Sequence, residues 1–327
     1  MVRFVYKKSP ITVRDFGTRQ IKYAFHDIDG THSLIRDWPP VMSIVLHYVS
    51  ENGVPEGYDS EENLRAIIAA TGTRPLPETD RFCIESAGLS ALTQMEWALR
   101  RAIDAGRADV PCDRDDNRRK IAEIGRGREV FDTPDSSELS AFLAEHTPRL
   151  FRFYEKVLNG YCRDRNLVLA KKDPARFTVP GSPEFLDFLQ KNGVKNYFVT
   201  GAVVQKGMGM HEEVEALGFA IGEGKTVEDI IGSTWTEKLP KDVIMKRLLT
   251  TLDASGEEVL VVGDGRSEIA AGAEMGALCI SRLAADDDYR RNLHRELGTH
   301  IVVSDYLDPE LYELVRSEEW QSLNESE

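Results

Sequence analysis

The sequence predicts an α/β protein: a Rossmann-like, doubly wound parallel sheet as the core, with an all-helical lobe inserted into it. Three observations predict this. Short apolar runs from Ile21 to His26, Lys195 to Val199 and Glu258 to Val262 each close on a polar or glycine-containing turn, as strands of a buried parallel sheet do. Each run is followed, sooner or later, by a helical pattern. Between the first run and the second, a long stretch reads as helix after helix. With 327 residues there is room for two domains. The expected division is an α/β core from residues 1–35 and 177–327, and a helical lobe from 36–176.

The first strand, Ile21 to His26, leads into Asp27-Ile28-Asp29-Gly30-Thr31. In the lobe, Val41, Ile44 and Tyr48 share one helical face, Leu64, Ile67 and Ile68 a second, and Leu92, Met95, Leu99 and Ile103 a third. Thr133-Pro134 and Thr147-Pro148 each pair an N-cap with a proline suited to a first turn, which predicts two further helix starts. The charged run Asp113 to Arg119 reads as an exposed helix and loop. The core resumes at Val179, where Ser182 can cap a helix beginning at Pro183. The second strand ends in Thr200-Gly201 and the third in Gly263-Asp264-Gly265. Helices are expected over Leu239 to Leu252 and Arg266 to Met275, with short strands at Ala277 to Ser281 and His300 to Ser304.

A formal charge of −14 argues against nucleic acid or an anionic membrane surface and leaves a small molecule as the expected ligand. Cys83, Cys112, Cys162 and Cys279 show neither C-x-x-C spacing nor a disulfide framework, which fits a reducing compartment. No apolar run approaches the ~20 residues of a membrane span, and the first residues lack a signal-peptide pattern. A soluble, cytoplasmic protein is therefore expected.

The strand ends carry the chemistry. Asp27 and Asp29, two residues apart, direct both carboxylates to one side of the chain. Two acids placed together repel unless a cation joins them. Phosphoryl transfer gives a reason for the arrangement: one carboxylate attacks phosphorus, the other protonates the leaving oxygen, and a divalent cation offsets the crowding. Asp and Gly also favour turns, so this segment alone reads equally as the end of a strand. The other strand ends weigh against that reading. Thr200 offers a hydroxyl and Gly201 an unhindered N–H to a phosphoryl oxygen. Asp264 is a hard oxygen ligand suited to Mg²⁺, with Glu268 one helical turn on. Lys238 precedes a helix and can hold Asp27 ionised while meeting the negative charge of a substrate.

On Asp27 to Thr31, Val199-Thr200-Gly201, Lys238 to Asp242 and Gly263 to Glu268, together with Pro180 to Pro183, the sequence resembles the haloacid dehalogenase superfamily. The resemblance is to the branch with a helical C1-type cap, similar to phosphoglycolate and sugar-phosphate phosphatases and to mutases. It implies Asp27 as nucleophile and metal ligand, Asp29 as general acid/base with its carbonyl on Mg²⁺, and Thr200 as phosphate binder. It further implies Lys238 as the charge-balancing lysine, with Asp264 and Glu268 on the metal side. Leu239 and Lys241 replace the two prolines common in the third motif, so Lys241 rivals Lys238. His26 stands where an apolar residue is usual, either as a satisfied strand histidine or as a group that tunes Asp27.

The implied function is Mg²⁺-dependent hydrolysis of a small phosphorylated metabolite through an aspartyl phosphate. A phosphomutase shares every motif and is the alternative. A dehalogenase has no use for Asp29, and phosphonatases of the superfamily lack it. A non-catalytic interaction protein has no need of four convergent carboxylates. Arg36, Arg100, Arg101 and Arg126 are candidates to meet a second acidic group on the substrate, weighed against ordinary surface arginines.

Overall fold

The computed structural model describes residues 10–35, 38–54, 57, 60–70, 76–86, 89–158, 164–237, 239–283 and 288–316. In chain order the elements begin with β1 (Ile11–Thr12) and β2 (Tyr23–His26). Seven helices follow: α1 (Trp38–Asn52), α2 (Glu61–Ala70), α3 (Pro77–Glu85), α4 (Ala91–Asp104), α5 (Arg114–Ile124), α6 (Ser137–Leu158) and α7 (Asp164–Lys172). Next come α8 (Ser182–Lys191), β3 (Lys195–Gln205), β4 (Met208–Gly209), α9 (Met210–Ala216) and β5 (Asp229–Ser233). The chain closes with α10 (Lys241–Thr251), β6 (Val259–Gly263), α11 (Arg266–Met275), β7 (Leu278–Arg282), α12 (Asp288–Leu297), β8 (Ile301–Val303) and α13 (Pro309–Val315).

The sheet runs β1-β8-β7-β6-β2-β3-β4, with β5 also paired to β3. From β5 through β3, β2, β6 and β7 to β8 every pairing is parallel; β1 on β8 and β4 on β3 are antiparallel. Successive strand residues point to opposite faces, and here both faces are covered. Ala24, Leu260, Val262 and Ile280 join Phe185 of α8 and Leu311 of α13 in one cluster. Phe25, Val259, Val261 and Cys279 join Ile244 of α10 and Ile269 of α11 in another. Burial on both sides explains why these strands read as unbroken apolar runs rather than alternating ones.

Helices α1 to α6 build a separate cluster around α4, in which Leu92, Met95, Leu99 and Ile103 are all buried. In α1 the buried face is Val41, Met42, Val45, Leu46 and Val49, while Ile44 and Tyr48 sit at its margin. Thr147-Pro148 starts no helix, because α6 runs through Pro148 as a single 22-residue helix, and Thr133-Pro134 likewise precedes its start at Ser137. An interior proline costs about 3 kcal/mol. Leu139, Leu143, Leu150, Phe151, Phe153 and Tyr154 are buried along α6, and at ~1.5–3 kcal/mol each their burial outweighs that cost.

The charged run Asp113 to Arg119 is an exposed helix start, as expected, with Asn117 alone buried within it, and the buried charges lie just beyond it. Asp113 caps α5 by accepting from the N–H groups of Asp115 and Asp116, and both Asn117 and Lys120 are buried. Lys120 pairs with Asp135 at 2.7 Å and Asp116 at 3.0 Å. Arg100, 1% exposed, donates to Glu96, Asn117 and Asp135. Helix α7 packs differently from the six before it. Its Leu167 and Ala170 join Leu186, Phe198, Met210 and Val214 beside the sheet.

β3 continues past Thr200 to Gln205, five residues beyond the expected strand end, with a shift in its register to β5 between Val199 and Val203. Val203 belongs to the helical cluster. Trp235 packs there too; its Nε1 donates to Gln205 at 3.0 Å and the Arg152 guanidinium lies 4.7 Å over its ring. Ser182 is the first residue of α8 rather than its cap, because its hydroxyl is taken by His32 at 2.6 Å. Gly181, at φ 79°, precedes it, where a Cβ would lie 2.6 Å from the Tyr306 backbone. Cys83, Cys112 and Cys279 are unpaired thiols, and Cys162 lies outside the described residues. No helix among the described residues is long and apolar enough to cross a membrane.

Candidate active site

In parallel sheets the open ground for a ligand lies beyond the carboxyl ends of the strands. β2, β3 and β6 are neighbours, so the turns that follow them converge. Asp27 leaves β2 with its N–H bonded to the Val262 carbonyl at 2.8 Å, tying it to β6. The chain then folds back on itself: the N–H groups of Thr31, His32 and Ser33 all bond to the Ile28 carbonyl, with Gly30 at φ 80°. Tyr306 donates to the Thr31 carbonyl at 3.0 Å and Arg282 to that of Gly30 at 3.1 Å, so the loop is held from below.

Asp27, Asp264 and Glu268 offer carboxylate oxygens that all lie within 4.8 Å of one another. Between them stands Lys241, the first residue of α10, with its ammonium 2.5 Å from Asp27 and 3.3 Å from Glu268. Lys241, the alternative that the sequence leaves open beside Lys238, is thus the lysine among the described residues that meets these carboxylates. Lys238, the residue first assigned the charge-balancing role, lies outside the described residues, as does Arg36. Glu268, third residue of α11, reaches back to the N–H of Gly265, and the Ser267 hydroxyl bonds to its other oxygen at 3.0 Å. Gly263 makes this possible. A Cβ there would fall 2.3 Å from the Glu268 side chain.

Charge balance in this cluster is set by burial. Loss of solvent, opposed by Lys241 but reinforced by Glu268 and Asp264, pushes the Asp27 carboxyl up to about 7. Burial acts to lower the Lys241 ammonium, yet the facing Asp27 and Glu268 carboxylates outweigh it and hold the group well above its ordinary value. Glu268 is held low: Lys241 and the N–H groups at the start of α11 overcome the effect of burial. Three carboxylates around one ammonium leave an excess of acidic groups at the edge of the cavity. A divalent cation with oxygen ligands fits this donor set.

One cavity of about 370 Å³ is lined by Asp27, Asp29, Thr200, Gly201, Lys241 and Asp264. The structure therefore brings together the expected residues of all the strand ends, with Glu268 buried behind them. The Thr200 oxygen accepts from the Ala202 N–H at 3.1 Å, which leaves its proton to donate into the cavity. Arg100 is fully engaged inside the helical cluster, and neither it, Arg101 nor Arg126 lines the cavity.

Two features escape the sequence reading. Arg290 of α12 donates to the Asp264 carbonyl and stands 3.4 Å from its carboxylate, positioning it from outside the sheet. Beneath Asp27, His26 is a satisfied strand histidine, one of the two readings the sequence offers, and does not line the cavity; its pairing with His32 is the second feature. It shares a hydrogen bond with Asn196 at 3.1 Å and another with His32 at 3.0 Å, and His32 in turn meets Ser182. Burial, partly offset by the Asn196 bond, lowers the His26 pKa to about 4, and His32 is also held well below its ordinary value by burial, His26 and Arg282.

No protein-family model matches the chain, and no curated protein matches it. The chain is similar to several solved structures. One is a predicted phosphoglycolate phosphatase from Haemophilus somnus, 14% identical over 92% of this chain and 100% of that one, with a TM-score of 0.46. Another is a phosphonoacetaldehyde hydrolase-like protein from Oleispira antarctica, 15% identical over 93% and 96% of the two chains, at 0.49. A third is a HAD family hydrolase from Deinococcus radiodurans with bound phosphate and sodium, 15% identical over 88% and 93%, at 0.43.

Proposed function

We propose that this chain is a Mg²⁺-dependent phosphohydrolase of the haloacid dehalogenase type, acting on a small phosphomonoester through an aspartyl phosphate on Asp27. The observation that carries the reading is the convergence of Asp27, Asp264 and Glu268 around Lys241, at the rim of a cavity that Asp29 and Thr200 also line. Three carboxylates around one lysine at the edge of a cavity support a site for a cation and an anionic ligand.

In this reading an oxygen of Asp27 attacks phosphorus while the bond to the leaving oxygen breaks, and Asp29 gives that oxygen its proton. Water then attacks the phosphorus, losing a proton to Asp29 and returning Asp27 as a carboxylate. Thr200 and Gly201 hold phosphoryl oxygens through hydroxyl and N–H, and Lys241 opposes the effect of burial on Asp27, favouring its ionised form. Asp27 and Asp264, with the Asp29 carbonyl and with Glu268 behind, would hold Mg²⁺, which supplies positive charge against the phosphoryl oxygens. Helices α1 to α6 act as a cap that shuts water out.

The test is phosphate release from a panel of phosphomonoesters. EDTA should abolish turnover and Mg²⁺ restore it, and Asp27→Asn should remain folded while losing several orders of magnitude in rate. Full activity without divalent metal, or a tenth of the wild-type rate in the variant, rejects the mechanism. Isomerisation of a sugar phosphate faster than phosphate release would assign the chain to the mutases instead.

A further inference from the structure

The cavity has two unlike ends. Its basic residues among those described, Lys241, Arg266 and Arg290, all come from the core, where Asp27 and Asp264 lie, and Lys241 and Arg290 are already paired with carboxylates there. The surface contributed by the helices is different. It is formed by Met42, Leu89, Phe151, Tyr154 and Leu158, with Ile84 of α3 at the margin. Among the described residues these helices place no lysine or arginine on the cavity, and the charges they do bring are the carboxylates of Glu85 and Glu155. Gln94, the amide in this wall, is committed to Ser86, donating to its hydroxyl at 2.9 Å and its carbonyl at 3.3 Å. Ile84 and Tyr289 are 74% and 78% exposed, large apolar side chains held in water beside the opening.

Among the described residues, a second anion on the substrate would meet carboxylates and hydrocarbon at this end, with no lysine or arginine to offset its desolvation. Most of a sugar's hydroxyl groups would face apolar side chains and lose a hydrogen bond with water, with Glu85 and Glu155 the carboxylate acceptors for the rest. An apolar group gains at every one of these contacts. We propose that the organic half of the substrate is an aromatic or branched-alkyl group bearing no second anion, so that the enzyme selects phosphomonoesters of apolar alcohols. This rests on the phosphohydrolase reading above and specifies its substrate class.

The test uses the full chain with Mg²⁺ and measures kcat/KM on methyl through hexyl phosphate, benzyl phosphate, phosphoglycolate, glucose 6-phosphate and acetyl phosphate. Each added methylene should raise kcat/KM by about two- to fourfold, the factor that corresponds to burying one CH₂. Benzyl phosphate should exceed both phosphoglycolate and glucose 6-phosphate at least a hundredfold. Ile84→Lys, at an exposed position, should cut the benzyl-to-phosphoglycolate ratio at least tenfold by placing a cation at the apolar end. A flat alkyl series, or a preference for phosphoglycolate or the sugar phosphate, overturns the substrate class while Asp27-dependent release from acetyl phosphate leaves the phosphohydrolase reading standing. If none of these compounds, acetyl phosphate included, releases phosphate in a way that Asp27→Asn abolishes, the chemistry itself falls and the substrate class with it.

Discussion

Asp29 and Lys241 face the same cavity but answer to different tests. A general acid matters in proportion to the basicity of the leaving group, and contributes about 10²–10⁴-fold where that group leaves poorly. Asp29→Asn should therefore cripple the first turnover of an alkyl phosphate while sparing p-nitrophenyl phosphate, which should give a rapid-quench burst near one equivalent and then stall. Equal losses for both esters, without a burst, would remove the acid/base role. Lys241 is the buried cation among Asp27, Glu268 and Asp264. Removing one partner of a buried ion pair costs about 3–5 kcal/mol, so Lys241→Met should be markedly less stable to urea, regain part of the loss in Mg²⁺, and turn over about 10²–10³-fold more slowly. Lys238→Met should stay within a few-fold of wild type; a comparable loss there would return the charge-balancing role to Lys238. That Asp27, Thr200 and Asp264 come together was legible because each follows directly on the apolar run that positions it, although β3 itself continues past Thr200. The choice between two lysines three residues apart depended on where α10 begins, and Arg290 reaches Asp264 from a helix whose sequence has no local signal for that contact.

At the level of elements, helical periodicity identified the region between β2 and β3 as helical, but it could not say which charges would be buried. The run Asp113 to Arg119 looks like a solvated face because its residues are polar. That face is mostly exposed; the buried charges are its neighbours Lys120 and Arg100, for which Asp135, from a different segment, supplies the carboxylate. Arg100→Met should lower unfolding free energy by about 3–5 kcal/mol, since Asp135 and Glu96 then lose a buried partner. The kcat of the folded fraction should change little, as Arg100 does not line the cavity. A large fall in kcat with unchanged stability would mean that this network positions the catalytic wall. The single helix α6 teaches a related lesson: Pro148 is a strong local stop signal, and only the apolar residues on either side of it, read together, reveal that the helix continues.

For the whole molecule, the buried pair His26 and His32 links β2, β3 and α8 and makes stability depend on pH. A histidine whose folded pKa is depressed stays neutral in the native state while the unfolded chain takes up a proton, so its stabilising contribution is complete above pH 6.5 and is lost as pH falls towards the folded value. For His26, lowered to about 4, the loss amounts to about 3 kcal/mol over that window, a substantial part of the ~5–15 kcal/mol typical of a domain. Urea unfolding at pH 7 and pH 4.5 should show this decline, and His26→Gln, which keeps a donor for Asn196, should reduce its slope by one proton. An unchanged slope would mean that His26 is protonated in the native state.

The overrun of β3 past Thr200 has a further consequence. Because Val203 is at once a residue of the longest strand and a member of the helical core, the two halves of the molecule share a component. The helical insert is then not a cassette. Recombined onto another sheet without residues 200–208 and Trp235, it would arrive with a hole in its interior, and the sheet left behind would carry an orphaned apolar spur. In such a chain, changes of specificity are expected to accumulate as point substitutions in the wall of the cavity, and exchange of the whole insert with a relative should yield insoluble hybrids unless the hairpin travels with it.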